Sequence, residues 1–157
     1  MKVLFATDGA KQSDSALDAF KQLALNDGDE IKVVSVIDVG MPLAVDIYGG
    51  YLPDTTELEK TAKENADKVL DDTLTRLRAI CGDKKIDITS EILFGSPESR
   101  IVETADEMKP DLVVVGSHGY TGLKRLLLGS VAQSVVSHAP CSVEVVRKKR
   151  TPEAKSL

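Results

Sequence analysis

The sequence has 157 residues, of which 42% are hydrophobic and 29% charged, with a formal net charge of -5. This composition is typical of a globular protein and excludes a collagen-like, disordered or disulfide-stabilised chain. The apolar runs are far shorter than the roughly 20 residues that cross a bilayer, and we expect no signal peptide. The acidic balance argues against a broad nucleic-acid surface. We therefore expect a single cytoplasmic domain without a membrane span, in which Cys81 and Cys141 are buried hydrophobic residues rather than a redox pair.

The first half of the chain predicts two strands and two helices. The apolar run 2–6 forms a buried strand, and Ser13 opens a helix. The Val- and Ile-rich stretch 30–39 forms the second strand. Residues 40–54, with three glycines and two prolines, form a long loop, after which Thr56 offers a capping box for the second helix. The apolar stripes comprise Ala16, Leu17, Phe20, Leu23 and Ala24 on the first helix, and Leu58, Ala62, Ala66, Val69, Leu70, Leu77 and Ile80 on the second.

The second half of the chain predicts three strands and two further helices. In the stretch 85–94, Ile86, Ile88, Ile92 and Phe94 share one parity, which is typical of a strand near a sheet edge. A third helix begins at Ser96–Pro97. The run 111–116 is apolar on both parities and predicts a central strand. Ser130 caps the fourth helix, and 141–146 is the fifth strand.

Strict alternation of strands and helices predicts an α/β fold. We expect one doubly wound five-stranded parallel sheet, in the order 3-2-1-4-5, with helices on both faces. The domain covers 1–147, and 148–157 is a basic, mobile tail. In such a sheet a ligand binds beyond the carboxyl ends of the strands, where the winding reverses. Here that position lies between the first strand, which is followed by Thr7-Asp8-Gly9, and the fourth, which ends at Gly116.

The segment GSHGYTGLKRLLLGS, 116–130, has the composition of an anion-binding loop. Glycines let backbone amides approach a ligand closely, and Gly129 and Ser130 begin a helix whose N-terminus attracts anions. Lys124 and Arg125 either add charge to this site or form a solvated face. The spacing is neither that of the P-loop nor GxGxxG.

These features resemble the nucleotide-binding members of the universal stress protein family. The pattern Gly116-x2-Gly119-x9-Gly129-Ser130 matches their motif, and the similarity covers nearly the whole chain. Its other landmarks are ATDGA, VVSVID, DLVVVGSHG and HAPCSVEVVR. Ser142 departs from the proline of many relatives, but it lies in the last strand. The resemblance implies a fold of the adenine nucleotide alpha hydrolase type.

The resemblance also implies an ATP pocket, with Mg²⁺ or Mn²⁺ accompanying the triphosphate. Asp8 matches the carboxylate at the adenine and ribose end, and the backbone of Val36 matches an adenine contact. Gly116 and Gly119 match glycines beside the ribose and α-phosphate, while 129–131 match the segment that holds the outer phosphates. The candidate nucleotide-binding residues are Ala6, Thr7, Asp8, Val36, Gly116, Ser117, His118, Gly119, Gly129, Ser130 and Val131; none is assigned to catalysis or to a metal.

Simpler interpretations exist for several of these residues. Asp8 is also a plausible turn residue, and Ser130 a helix cap. His118 has no identifiable nucleophile and carboxylate beside it, so we expect an exposed or packing residue rather than a catalytic one. Tyr48 and Tyr51 either cover a bound base or pack on a partner subunit.

Three classes of function fit this pattern to different degrees. The complete glycine motif favours an ATP-binding regulatory protein of the stress response, with at most slow ATP hydrolysis or autophosphorylation. The alternative is a nucleotide-independent dimeric scaffold, and an adenylyl-transfer enzyme ranks last. The resemblance implies a homodimer that pairs through the edge strand 141–146. The signalling partners and the physiological nucleotide do not follow from the sequence.

Overall fold

Five parallel strands and four helices alternate in a computed structural model, which describes residues 1–9, 13–38, 55–118 and 127–147. The predicted α/β class is confirmed. In chain order the elements are β1 Lys2–Ala6, α1 Ser13–Phe20, β2 Glu30–Ile37, α2 Thr55–Cys81, β3 Asp87–Phe94, α3 Pro97–Met108, β4 Leu112–Gly116, α4 Ser130–His138 and β5 Ser142–Val146.

The strand order is β3-β2-β1-β4-β5, as predicted. β1 lies at the centre, where Ala6 pairs with Val34 of β2 and with Val115 of β4. The apolar run of β4 is a central strand because it also pairs with β5. In the part of the chain that the structure describes, β3 and β5 form the two edges of the sheet.

Two hydrophobic cores cover opposite faces of the sheet. The first joins α1 and α2 to β1 through Leu17, Phe20 and Leu77, which pack with Val3 and Phe5. The second contains the buried side chains of α3 and α4, namely Ile101, Ala105, Ala132 and Val135, together with Leu4, Val34, Leu93, Val113 and Val115. Successive residues of a strand point to opposite faces, so Val3 and Leu4 belong to different cores. The connections from β1 and β4 consequently leave the sheet toward opposite faces, which opens a crevice between their ends.

The first helix is shorter than its apolar spacing predicts. It ends at Phe20, where Lys21 N–H donates to the Asp18 carbonyl at 3.2 Å and Leu23 N–H donates to the Phe20 carbonyl at 3.3 Å. These contacts link residues three positions apart and tighten the chain into a turn. Leu23 is therefore only half-buried and Ala24 is exposed, while Leu25 turns into the first core.

The first turns of the second helix are more exposed than its apolar stripe predicts. From Ala66 onward its apolar stripe packs on the core, with Ala66, Leu70 and Leu77 buried and Val69 and Ile80 half-buried. Before Ala66, Leu58 is 62% exposed and Ala62 is half-buried. Thr56 lies inside the helix rather than at its cap, because the helix already begins at Thr55. Helix propensity and periodicity predict that this segment is helical. They do not predict which of its turns pack on the sheet, because that depends on where the strands end.

The starts of α3 and α4 differ in how well they were predicted. Ser96 occupies the N-cap position and Pro97 the first turn, as expected, although no hydrogen bond from the Ser96 side chain caps the helix. In α4 the N-cap is Gly129, with extended backbone, and Ser130 is the first helical residue. The prediction that Ser130 caps α4 is wrong by one position, because Gly129 already accepts the first helical bond from Gln133 N–H, at 2.9 Å.

Both cysteines are free thiols that take part in packing. Cys81 is buried in the first core, and the half-buried Cys141 packs against the second. Burial raises the pKa of both thiols, so both favour the neutral form. This arrangement agrees with the expectation that they are hydrophobic residues.

Candidate functional site

The ends of β1 and β4 form the floor of the crevice. Thr7 and Ser117 are the residues just beyond these strands, and both side chains are buried. Thr7 N–H donates to the Val34 carbonyl and Ser117 N–H to the Val146 carbonyl, both at 2.9 Å. Each residue thus continues the ladder of its strand with the outer neighbour. β1 and β4 end side by side, because Ala6, the last residue of β1, pairs with Val115 near the end of β4. Both connections therefore start at the carboxyl end of the sheet.

Asp8 and Gly9 form the side of the crevice that follows β1. Both are exposed, and Gly9 N–H donates to Thr7 Oγ1 at 3.3 Å. Gly9 has a φ of 73°, in the left-handed region that favours glycine. A Cβ at this position would lie 2.4 Å from Cγ2 of Val69 on α2. The turn that presents Asp8 is therefore packed directly against the second helix.

The start of α4 forms the opposite side of the crevice. Gly129 N–H donates to the Ser117 carbonyl at 2.8 Å, which joins the helix to the residue that follows β4. A Cβ on Gly129 would lie 3.1 Å from that carbonyl oxygen and 3.4 Å from the His118 Cα. The absence of a side chain allows this approach. Helix geometry leaves the first-turn amides, including those of Ser130 and Val131, without partners inside the helix, so this end carries partial positive charge.

Gly116 lies between these two sides, at the end of β4. Its φ is not in the left-handed region, so its backbone does not require glycine. Among the described residues, a Cβ at Gly116 would meet only the His118 carbonyl oxygen, at 3.6 Å, which is ordinary contact. Neither backbone geometry nor the packing of the described residues explains a glycine here.

Two further candidate residues border the crevice. Val36 is half-buried in β2, two positions beyond Val34, which pairs with the last residue of β1. The backbone of Val36 therefore extends past the end of β1, on the side of the crevice toward β2. His118 is half-buried, and its Nδ1 lies 3.0 Å from Ser117 Oγ, a contact that fixes the imidazole beside the floor.

The structure thus brings most of the predicted residues to the carboxyl end of the sheet. Ala6, Thr7 and Asp8 come from the centre, Val36 from the neighbouring strand, and 116–118 and 129–131 from the other side. Gly119, Lys124 and Arg125 lie outside the described residues, as do Tyr48, Tyr51 and the predicted tail. Sequence reasoning placed Val69 on the apolar stripe of α2 but missed its packing against Gly9, because this contact joins positions far apart in the chain and leaves no local pattern.

The described residues were also searched for other kinds of site. Within 1–9, 13–38, 55–118 and 127–147, no group of three or more His, Cys, Asp or Glu side chains is placed to hold a metal ion. In the same ranges, none of the helices combines the length and apolar character needed to span a membrane.

Comparison with known proteins gives matches over nearly the whole chain. The model of the universal stress protein family matches residues 1–147. Universal stress protein MJ0531 of Methanocaldococcus jannaschii is 33% identical over 152 residues, which cover 95% of this chain and 83% of that protein.

Two solved structures of similar fold are nucleotide complexes. A universal stress protein in complex with cAMP has a TM-score of 0.61 and 24% identity, over 94% of this chain and 96% of that one. A family member from Arabidopsis thaliana with AMP bound has a TM-score of 0.67 and 17% identity, over 98% and 97% of the two chains. At these identities the likeness shows a shared fold.

Proposed function

Because the chain belongs to the universal stress protein family, we propose that it is a cytoplasmic regulatory protein that binds an adenine nucleotide, ATP with Mg²⁺, between β1 and β4. The nucleotide state of this crevice then alters how the protein interacts with its partners in a stress response. Asp8 contacts the ribose and adenine end, and the backbone of Val36 contacts the base. The amides of 129–131 and the Ser130 hydroxyl hold the phosphates.

The observation that carries the proposal is the glycine at position 116. Neither its φ nor its described neighbours require glycine, and an added Cβ finds only ordinary contact, at 3.6 Å. A glycine that the fold does not need is explained when a ligand passes close to the backbone. The space beside Gly116 lies between the exposed Asp8 turn and the start of α4, so a ligand there is within the field of the helix N-terminus.

The charge distribution around the crevice suits a nucleotide rather than a neutral ligand. The N-terminal end of α4 favours anions, and no acidic residue lies in its first turn. Asp8, on the opposite side, supplies an acceptor for sugar hydroxyls. The two similar structures described with cAMP and AMP support an adenine base in this fold. Mg²⁺ bound with ATP neutralises part of the phosphate charge, and no protein ligand to it is assigned.

Titration calorimetry of the purified protein with Mg-ATP, AMP and cAMP tests this proposal. We expect saturable binding, and a Gly116→Val variant that loses at least about tenfold in affinity while its circular dichroism is unchanged. The control is Ala24→Val, a similar enlargement at an exposed position after α1. Absence of binding by the wild type at millimolar nucleotide contradicts the proposal and favours the nucleotide-independent scaffold. If the Gly116→Val variant binds nucleotide as tightly as the wild type, the nucleotide does not bind in the crevice beside Gly116.

The exposed edge at β5 supports a second part of the proposal. β5 pairs with β4 on one side only in the described structure, and its valines Val143, Val145 and Val146 remain half-buried. An edge strand offers unpaired N–H and C=O groups to another chain. We propose that two copies pair antiparallel through 141–146, which gives a homodimer.

A further inference from the structure

We propose that the contact between Gly9 and Val69 couples occupancy of the crevice to the exposed N-terminal half of α2. The inference rests on the proposed function, because it treats Asp8 as a ligand contact. Val69 acts in it as a positioning residue that does not touch the nucleotide. We call residues 55–65, the N-terminal part of α2, the overhang.

The overhang follows from the lengths of the elements. The part of α2 from Ala66 to Cys81 carries its buried side chains and spans about 24 Å at roughly 1.5 Å per residue. This matches the eight residues of β2, which extend about 26 Å. The remaining residues of the 27-residue helix continue for about 16 Å beyond this buried part.

The overhang lies on the same side of the sheet as the crevice. α2 connects the end of β2 to the start of β3, and these strands are parallel. The helix therefore runs opposite to the strands and begins beyond their carboxyl ends. Every described side chain of 56–65 is exposed except the half-buried Ala62. Among the described residues, the buried packing of α2 therefore begins at Ala66.

Val69 connects this segment to the candidate site. Its side chain is half-buried one turn after Ala66, and its Cγ2 fills the space where Gly9 would carry a Cβ. Gly9 follows Asp8 directly, and its left-handed φ leaves no alternative residue that keeps the same turn without strain. A ligand that fixes Asp8 therefore fixes Gly9 against Val69. Residue 69 belongs to the same rigid helix as the overhang.

The coupling acts through local stability. The overhang frays readily because few buried contacts oppose its opening. When a ligand holds the turn at Asp8 and Gly9, fraying of α2 that reaches Val69 also disturbs the ligand site. Ligand binding therefore suppresses this fraying. Linkage makes this coupling reciprocal. If bound nucleotide stabilises the closed helix by some factor, a substitution that removes the contact at Val69 lowers nucleotide affinity by that same factor. The overhang thus reports the nucleotide state on the protein surface.

Hydrogen exchange by NMR on Val69→Ala tests the inference, with Val102→Ala as the matched control. Val102 is a half-buried valine on α3, which packs on the opposite face of the sheet. In the nucleotide-free protein, Val69→Ala should accelerate exchange of the Gly9 amide, whose hydrogen bond to Thr7 Oγ1 loses its support. The control Val102→Ala should leave the exchange rate of the Gly9 amide unchanged. Equal exchange in the two variants overturns the inference whether or not nucleotide binds.

The nucleotide-bound protein supplies the second readout. We expect AMP or Mg-ATP to slow exchange at amides 59–65 in the wild type and in Val102→Ala. Val69→Ala should lose this protection and bind roughly three- to thirty-fold more weakly. If the wild type binds nucleotide and amides 59–65 do not respond, the coupling is wrong and the proposed function stands. If the wild type binds none, the proposed function fails, and the nucleotide-free comparison alone decides whether the turn and the helix are coupled.

Discussion

At the scale of single residues, Gly116 and Gly129 occupy different environments. Packing favours glycine at 129, because a Cβ would lie 3.1 Å from the Ser117 carbonyl oxygen, while a Cβ at Gly116 would make only ordinary contact with the described residues. Sequence analysis grouped both in one motif and could not separate them. The distinction depends on backbone atoms of residues 117 and 118, whose positions follow from the sheet and from the start of α4.

The Gly129→Val substitution should lower both stability and nucleotide binding. The added methyl groups meet the Ser117 backbone, which is held at its N–H by Val146 and cannot yield freely. Overpacking of this kind costs about 1 to 3 kcal/mol, so the urea midpoint should fall. Gly116→Val should leave that midpoint nearly unchanged. A Gly129→Val protein with wild-type stability would contradict the tight approach of α4 to β4.

At the scale of elements, the sequence specified which segments are helices and strands more accurately than where they end. Strong periodicity identified the strands and helices, and the parity of 85–94 placed β3 at an edge. The ends of α1 and the buried length of α2 were missed. Leu23 and Ala24 continued the apolar spacing of α1, but three-residue bonds turn the chain after Phe20 and place Leu25 in the core instead.

The two halves of α2 should contribute very differently to stability. Leu77 is fully buried, so Leu77→Ala should cost about 2 to 5 kcal/mol by creating a cavity. Leu58 is 62% exposed, and Leu58→Ala should change the free energy of unfolding by no more than about 0.5 kcal/mol. Urea unfolding of the two variants measures this contrast. A large loss for Leu58→Ala would mean that the overhang is covered by another surface.

For the whole molecule, the open edge at β5 determines how a second copy can attach. The Ser117 N–H donates to the Val146 carbonyl, so the backbone groups of Val146 face β4. Successive residues of a strand alternate in this respect, and those of Val143 and Val145 therefore face outward. These outward groups are the ones available for pairing between subunits.

Val143→Pro should weaken the proposed dimer without removing a bond to β4. Proline lacks the N–H that faces outward at this position, and edge strands tolerate it where that group faces solvent. Val143→Thr retains the N–H and nearly the same shape, so it is the control. In sedimentation velocity at micromolar concentration, we expect a wild-type dimer, a dimeric Val143→Thr and a largely monomeric Val143→Pro. A monomeric wild type would refute pairing through β5.

The sequence by itself predicted the order of elements, the strand order and the end of the sheet at which Asp8 follows β1 and Gly116 ends β4. Periodicity identifies the elements, and right-handed connections restrict the sheet to a few doubly wound orders, of which 3-2-1-4-5 was the one predicted. Only the tertiary structure decided that Val69 packs on Gly9, that Gly129 touches the end of β4, and that α2 extends past the sheet. These features depend on distances between residues remote in the chain, which result from how whole elements pack and leave no mark on local sequence.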